Sequence, residues 1–194
     1  MSNQLVAIYC ASSAKIDSSY LNHAKELGSL LVKNGFGIKY GGGSIGSMGA
    51  IANQILELNG RVIGVIPQFM VDVEWAHPQV KEMIVCQTMA QRKEILLQDV
   101  EAIVVMAGGV GTFDEMFDAL SLKKLGKFKK PIIILNTKNY FNPILEILDQ
   151  SIDQQFMRHE HRQMWEVAQT PEEAVHLIKT TPHWDEDALK IAVL

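Results

Sequence analysis

The feature that most constrains this chain is the stretch from Glu101 to Lys124, EAIVVMAGGVGTFDEMFDALSLKK. Ala102-Ile103-Val104-Val105-Met106 is apolar throughout and rich in β-branched residues. That composition suits a strand covered on both faces in a parallel sheet. Gly108, Gly109 and Gly111 interrupt the run, and Thr112 follows them. Phe113, Met116, Phe117 and Leu120 then recur at helical spacing. Strand, glycine turn and helix in this order aim backbone N–H groups and the positive end of a helix dipole at one point, an anion site that suits a phosphate. Glycines are needed because side chains would hold the ligand away from the backbone. Thr112 is placed to cap the helix or to bond a phosphate oxygen. Asp114 and Glu115 fall in the expected first turn, where the dipole favours ionised carboxylates. Plain capping is the ordinary explanation of Asp114. Glu115 is different, because a carboxylate beside a phosphate cradle repels the ligand unless it has a chemical task.

The rest of the chain repeats the alternation. Leu5 to Cys10 reads as a buried strand ending in the small-residue turn Ala11-Ser12-Ser13, whose hydroxyls can bond a ligand. A helix is expected over Tyr20 to Val32, with Leu21, Ala24, Leu27, Leu30 and Leu31 inward and Asn34-Gly35 as its stop. A strand from Phe36 to Tyr40 runs into GGGSIGSMG and a helix from Ala50 to Leu58. Residues 41–46 fit the GxGxxG pattern, a weak signal for a dinucleotide site. The acid expected about 20 residues later, at the end of the next strand, is missing, since that strand ends Val65-Ile66-Pro67-Gln68. Gly42, Gly43 and Ser44 are therefore read as a second phosphate-cradling loop.

A third strand covers Arg61 to Ile66, and the irregular segment from Pro67 to Pro78 carries Glu74, Trp75 and His77. Loops at the carboxyl ends of parallel strands often hold ligand contacts, although His77 reads equally well as a structural histidine. A short strand is expected over Glu82 to Val85 and a helix over Met89 to Gln98. A further strand follows at Ile132 to Leu135, with helices at Pro143 to Ile152 and Pro171 to Lys179. His159-x-His161 has no accompanying carboxylate pattern and is not read as a metal site. The alternation implies a Rossmann-like α/β fold: a doubly wound parallel sheet in three α/β/α layers, forming one nucleotide-binding domain over residues 1–194. Both glycine loops leave carboxyl ends of strands, so they can meet at one crevice.

Composition excludes several classes. The net charge of −4 leaves no basic footprint for nucleic acid. The run from Lys123 to Lys130 reads as a helix terminus and a solvated loop. Cys10 and Cys86 form no CxxC or metal spacing, which suits a reduced, cytoplasmic protein. The beginning, MSNQLVAIYCASS, is a strand pattern and not a signal peptide. No apolar run approaches the ~20 residues of a membrane span.

Three separated motifs carry a resemblance. Gly108-Gly109-Val110-Gly111-Thr112-Phe113-Asp114-Glu115 resembles the GGxGTxxE motif of the Lonely Guy (LOG) family, with Ala107 where Pro is usual. YGGGSIGSMG resembles the family's YGGGxxGLMG, with Ser47 replacing Leu, and Met89 to Lys93 matches MxxRK. The likeness runs from about Val6 to Ile178. Family members are nucleoside 5′-monophosphate phosphoribohydrolases that release cytokinin bases, and many carry an older label, lysine decarboxylase-like.

The resemblance implies Arg92 and Glu115 as catalytic residues. It implies Glu74, Lys93, Gly109, Val110, Gly111, Thr112, Phe113, Asp114 and Ser121 as substrate contacts, with Gly42, Gly43, Ser44 and Gly108 in the phosphate loops. Ser121 stands where the family commonly has Thr, and Leu122 and Lys124 replace its usual Trp and Gln. The implied substrate is AMP or an N6-modified AMP, with no cofactor, no metal and a homodimeric assembly.

Chemistry supports these roles. Cleaving an N-glycosidic bond builds positive charge on the ribose, which a nearby carboxylate stabilises while it polarises a water. Arg92 keeps its proton, so its expected work is to orient Glu115 or the ribose phosphate, or to stabilise charge on the departing base. A non-catalytic nucleotide-binding protein of the same fold is the alternative. The decarboxylase label would need pyridoxal phosphate on a lysine. Lys93 is the only motif lysine, and no acid for the pyridine nitrogen is evident.

Overall fold

The computed structural model describes residues 4–73, 75–184 and 188–192. Its strands are β1 (Leu5–Tyr9), β2 (Gly37–Tyr40), β3 (Val62–Pro67), β4 (Glu82–Cys86), β5 (Ala102–Val105), β6 (Ile132–Leu135) and β7 (Glu166–Ala168). The helices are α1 (Ser18–Lys33), α2 (Gly46–Glu57), α3 (Gln68–Asp72), α4 (Met89–Leu97), α5 (Val110–Lys124), α6 (Asn142–Asp153), α7 (Pro171–Thr180) and α8 (Ala188–Ile191). Short 3-10 turns lie at Thr137–Asn139 and His159–Met164.

The seven strands form one sheet in the order β4-β3-β2-β1-β5-β6-β7, and every pairing is parallel. β1, β2, β5 and β6 are buried along their whole length, as their unbroken apolar runs require when helices cover both faces. One face packs on Ala24, Leu27 and Leu31 of α1, Ile51, Ala52 and Ile55 of α2, and Ala174, Val175 and Ile178 of α7. The other packs on Leu96 of α4, Met116, Ala119 and Leu120 of α5, and Leu148 and Ile152 of α6. This is the expected three-layer α/β/α, Rossmann-like arrangement. β1 lies between β2 and β5, so the chain winds outward in both directions from it. The carboxyl ends of β1, β2 and β5 therefore border the crevice at the switch point of the sheet.

Several boundaries differ from the sequence reading. α5 begins at Val110 and α2 at Gly46, each earlier than the apolar spacing indicates, because Gly111 and Gly49 continue each helix back into its glycine turn. The segment after β3 contains the one-turn helix α3, held by Gln68 and Asp72 side chains four residues apart. β7 was not expected. Its three residues carry too short a pattern to stand out, and pairing with β6 recruits them. The basic run is also not uniformly solvated. Lys123 is fully buried, and its ammonium donates to the Lys130 carbonyl at 2.9 Å, with burial pulling its pKa down to about 8.

Candidate active site

The two glycine turns are built into one another through β1. The Ala11 amide donates to the Ala107 carbonyl at 3.2 Å, and the Ala11 carbonyl accepts from the Met48 amide at 3.1 Å. One residue at the end of β1 thus ties the β5–α5 turn to the first turn of α2. Gly46 has φ +65°, and a Cβ on it would lie 2.6 Å from the Ser13 carbonyl oxygen. Only glycine fits where the β2 loop touches the turn after β1. Gly108 is held from both sides. A Cβ there would collide with the Thr112 side chain at 2.1 Å, and its carbonyl accepts from the Tyr140 hydroxyl at 2.6 Å.

Gly109 and Gly111 behave differently. A Cβ on either meets nothing within 4 Å, and both line the cavity. Neither has the positive φ that would demand glycine. Packing does not explain them, whereas close approach of a ligand to the backbone does. Gly109 caps α5 without a side-chain hydrogen bond, and the first helical bond runs from the Phe113 amide to the Gly109 carbonyl. The amides of Val110, Gly111 and Thr112 have no earlier carbonyl within the helix, as at any helix start. Together with the helix dipole they form an anion-binding end.

The cavity has a volume of about 510 Å³, within the range of small-molecule sites. Cys10, Ala11 and Ser12 from the end of β1, Gly41, Gly43 and Ser44 from the β2 loop, and Gly109, Gly111 and Thr112 from the β5 turn line it. Ile45, Met48, Ile66, Met70, Trp75 and Met89 supply an apolar wall. Arg92 and Glu115 complete the lining, one from α4 and the other from α5.

Those two side chains form a buried ion pair. Arg92 is 6% exposed and Glu115 4%. The Arg92 Nη1 donates to Glu115 Oε1 at 2.9 Å, Nε donates to the Val65 carbonyl at 3.1 Å, and Nη2 donates to the Gly41 carbonyl at 3.3 Å. A Cβ on Gly41 would lie 2.2 Å from Nη2, so that glycine makes room for the guanidinium. Glu115 is the sixth residue of α5, in its second turn, and not in the first turn as the apolar spacing suggested. Its ionisation is thus set by burial more than by the helix end. Burial pushes its pKa up to about 7, with Arg92 pulling against that shift, Asp114 adding to it and Lys93 opposing it.

The other residues singled out from sequence divide. Gly43, Ser44, Gly109, Gly111 and Thr112 reach the cavity, while Gly42 and Gly108 lie beside it in the same loops. Lys93 lies outside the lining. Its ammonium bonds Asp114 at 3.0 Å and Asp118 at 3.2 Å, and these carboxylates keep it protonated, which does not suit a Schiff-base lysine. Val110 is 84% exposed. Phe113 packs against the core and stacks on Tyr140, and the Ser121 hydroxyl donates to the Phe117 carbonyl at 2.7 Å. Glu74 lies outside the described residues. His77 is structural: it is buried, bonds Asn53 through Nε2 at 3.1 Å and accepts from the Gln79 amide at 3.2 Å. The apolar wall was missed by sequence reasoning. Its one sequence signal was the cluster of large apolar residues in the irregular segment after β3.

A doubly wound sheet with two glycine turns and a buried acid–base pair at its switch point defines a Rossmann-like α/β protein with a site for a small anionic ligand. Residues 48–178 match the family described as possible lysine decarboxylase. The cytokinin riboside 5′-monophosphate phosphoribohydrolase LOG of Oryza sativa subsp. japonica is 32% identical over 170 residues, covering 88% of this chain and 70% of that protein. LOG4 of Arabidopsis thaliana, of the same description, is 33% identical over 170 residues, covering 88% of this chain and 79% of that protein. The chain belongs to the LOG family. Among solved structures, the molybdenum cofactor carrier protein of Chlamydomonas reinhardtii superposes with a TM-score of 0.69 at 24% identity, over 92% of this chain and 97% of that one, and shares the fold.

Two outcomes follow from this geometry. Arg92→Ala leaves a buried carboxylate without its partner and is expected to cost about 3–5 kcal/mol in urea denaturation. Gly111→Ala places a methyl group in the cavity and removes a helical glycine. Stability should rise by up to about 0.5–1 kcal/mol, while affinity for a nucleoside monophosphate falls. A loss of stability with unchanged affinity would assign Gly111 to the fold.

Proposed function

We propose that the protein hydrolyses the N-glycosidic bond of a nucleoside 5′-monophosphate, giving free base and ribose 5-phosphate. The observation that carries this reading is the buried Arg92–Glu115 pair on the wall of a cavity edged by two glycine loops. The glycine turn of α5 and the loop after β2 take the phosphate through backbone amides. Glu115 then lies where the ribose develops positive charge. Its carboxylate stabilises that charge and accepts a proton from the attacking water, whose oxygen bonds to C1′ as the C1′–N bond breaks. The base leaves with the bonding electrons and takes up a proton. A carboxyl group with a pKa near 7 can both accept and return a proton at neutral pH. Arg92 orients Glu115, and the reaction requires no redox or metal chemistry.

The substrate class is AMP or an N6-modified AMP of the cytokinin type. The apolar wall of Met48, Met70, Met89 and Trp75 supports an uncharged base carrying an apolar substituent. Methionines adapt to irregular apolar shapes. The buried, free Cys10 and Cys86 suit a reducing compartment such as the cytoplasm. The assembly is a homodimer, supported by exposed Val110, Phe117 and Leu125 along the outer side of α5.

The test is to incubate the protein with AMP and with isopentenyladenosine monophosphate and to assay free base and ribose 5-phosphate. Release from either supports the hydrolase, and the ratio of rates gives the preferred base. Bound AMP without release would make the chain a nucleotide-binding protein. Glu115→Gln should fold and bind AMP yet lose at least ~100-fold in turnover; near-normal turnover would remove Glu115 from the mechanism. In the wild type, kcat/KM should fall about tenfold per pH unit below pH about 7, as Glu115 becomes protonated. Stability moves the opposite way. The folded state raises this pKa, so the contribution of the protonated group is complete below about 4.5 and is lost as pH rises through about 7. Light scattering should return twice the chain mass, and Phe117→Glu should halve it; a wild-type monomer would exclude the dimer.

A further inference from the structure

A lysine in the middle of a fully buried parallel strand is out of place chemically. Lys39 occupies that position in β2 and is 4% exposed. Its backbone pairs with Ala7 of β1 and Ile63 of β3, and both of those residues belong to the core on the α4 side of the sheet. Its ammonium donates to the Ile95 carbonyl at 3.1 Å and to the Gln98 carbonyl. These carbonyls lie at the carboxyl end of α4, where the dipole is negative and Ile95 has only a 3.3 Å bond from the Gln98 amide in place of a full helical turn. Asp99 stands beside the ammonium as a further favourable charge, and Arg61 opposes it.

The polar anchors of α4 to β3 and α5, through Arg92 and Lys93, leave its last turn to other contacts. The helix is nine residues long, and its buried residues are Arg92 and Leu96. Thr88 caps its first turn. The helix therefore leans on polar contacts, and two of these reach the same strand end. Arg92 donates to the Gly41 carbonyl, two residues beyond Lys39, while Lys39 reaches forward to Ile95 and Gln98. Between them they clamp α4 to β2 and to the first residue of the loop after it, at two points along the helix.

We propose that Lys39 is a positioning residue that holds the carboxyl end of α4 against β2 and so fixes Arg92 on Glu115. The proposal rests on the reading that the Arg92–Glu115 pair serves the reaction. Lys39 itself does not line the cavity. Without its ammonium, α4 loses the tie between its carboxyl end and β2, and the guanidinium shifts relative to the carboxylate. The phosphate loops are left in place, so turnover suffers more than binding.

The experiment compares wild type with Lys39→Met, which matches the stem but lacks the charge, and with Lys39→Arg, which keeps donors. Folded Lys39→Met should lose at least about fivefold in kcat with KM changed less than about twofold, the pattern of a misplaced group acting in the transition state. The acid limb of kcat/KM should move up by about half a pH unit, because Arg92 opposes the upward shift that burial imposes on Glu115. Glu115 is faced by Arg92 and Lys93 from α4 and Asp114 from its own helix, and its charge is felt by Tyr9 at the end of β1 and Cys10 just beyond it. The Arg92 Nε–H resonance, bonded to the Val65 carbonyl, should shift or broaden in ¹H–¹⁵N spectra. Lys39→Arg should recover most of the turnover. Lower heat stability in Lys39→Met with unchanged kcat, acid limb and Arg92 resonance would overturn the proposal and leave Lys39 a purely structural group. If Lys39→Met does not fold, Lys39→Gln is read against the same criteria. If the wild type releases no base, the hydrolase reading fails, and the Arg92 resonance alone decides the role of Lys39.

Discussion

The site depends on a buried ion pair. Removing a guanidinium and a carboxylate from water costs several kcal/mol for each ion, and their mutual attraction repays this only when the remaining donors are satisfied. Here the Arg92 donors reach the Val65 and Gly41 carbonyls as well as Glu115. Those carbonyls belong to β3 and to the loop after β2, so the guanidinium is held by two parts of the sheet edge and by Glu115 of α5. Gly41 lacks a side chain where one would displace the guanidinium. Burial works against both charged forms, and it raises the Glu115 pKa to about 7 near the start of α5.

The fold delivers the parts through one topological fact. β1 sits between β2 and β5, and the chain departs from it in opposite directions. Two segments more than sixty residues apart in sequence, the glycine loops near Gly42 and Gly109, thereby open on the same crevice. Ala11 joins them with its own amide and carbonyl. α4 then crosses to bring Arg92 under the β2 loop. Each element is ordinary, and the site exists only where their ends converge.

Much of this was legible in the chain. The apolar runs of β1, β5 and β6 announced strands covered on both faces, and the glycines after β2 and β5 announced backbone-mediated binding. Glu115 stood out as a carboxylate beside a phosphate cradle, whereas Arg92 was found through motif resemblance, because neither periodicity nor charge sets it apart from solvated neighbours. Lys93 shows the limit of the same reasoning. It adjoins Arg92 in sequence, yet one step around α4 turns it outward to Asp114 and Asp118. Lys123 and Lys39 are charged residues that sequence rules place in solvent, yet backbone carbonyls receive them inside, that of nearby Lys130 for Lys123 and those of distant α4 for Lys39. The apolar wall was not legible, because Met48, Ile66, Met70, Trp75 and Met89 come from four segments with no common pattern.

The sequence by itself determined the layer architecture, since hydrophobic periodicity and glycine placement are local properties that each segment carries alone. It also determined where anion-binding turns would form, because a glycine turn between strand and helix needs only its own backbone. The tertiary structure decided the ionisation of Glu115, the burial of Lys39 and Lys123 and the shape of the cavity. Desolvation depends on what covers a group, and a carbonyl donated from another strand or helix is invisible until the sheet order brings it within hydrogen-bond reach.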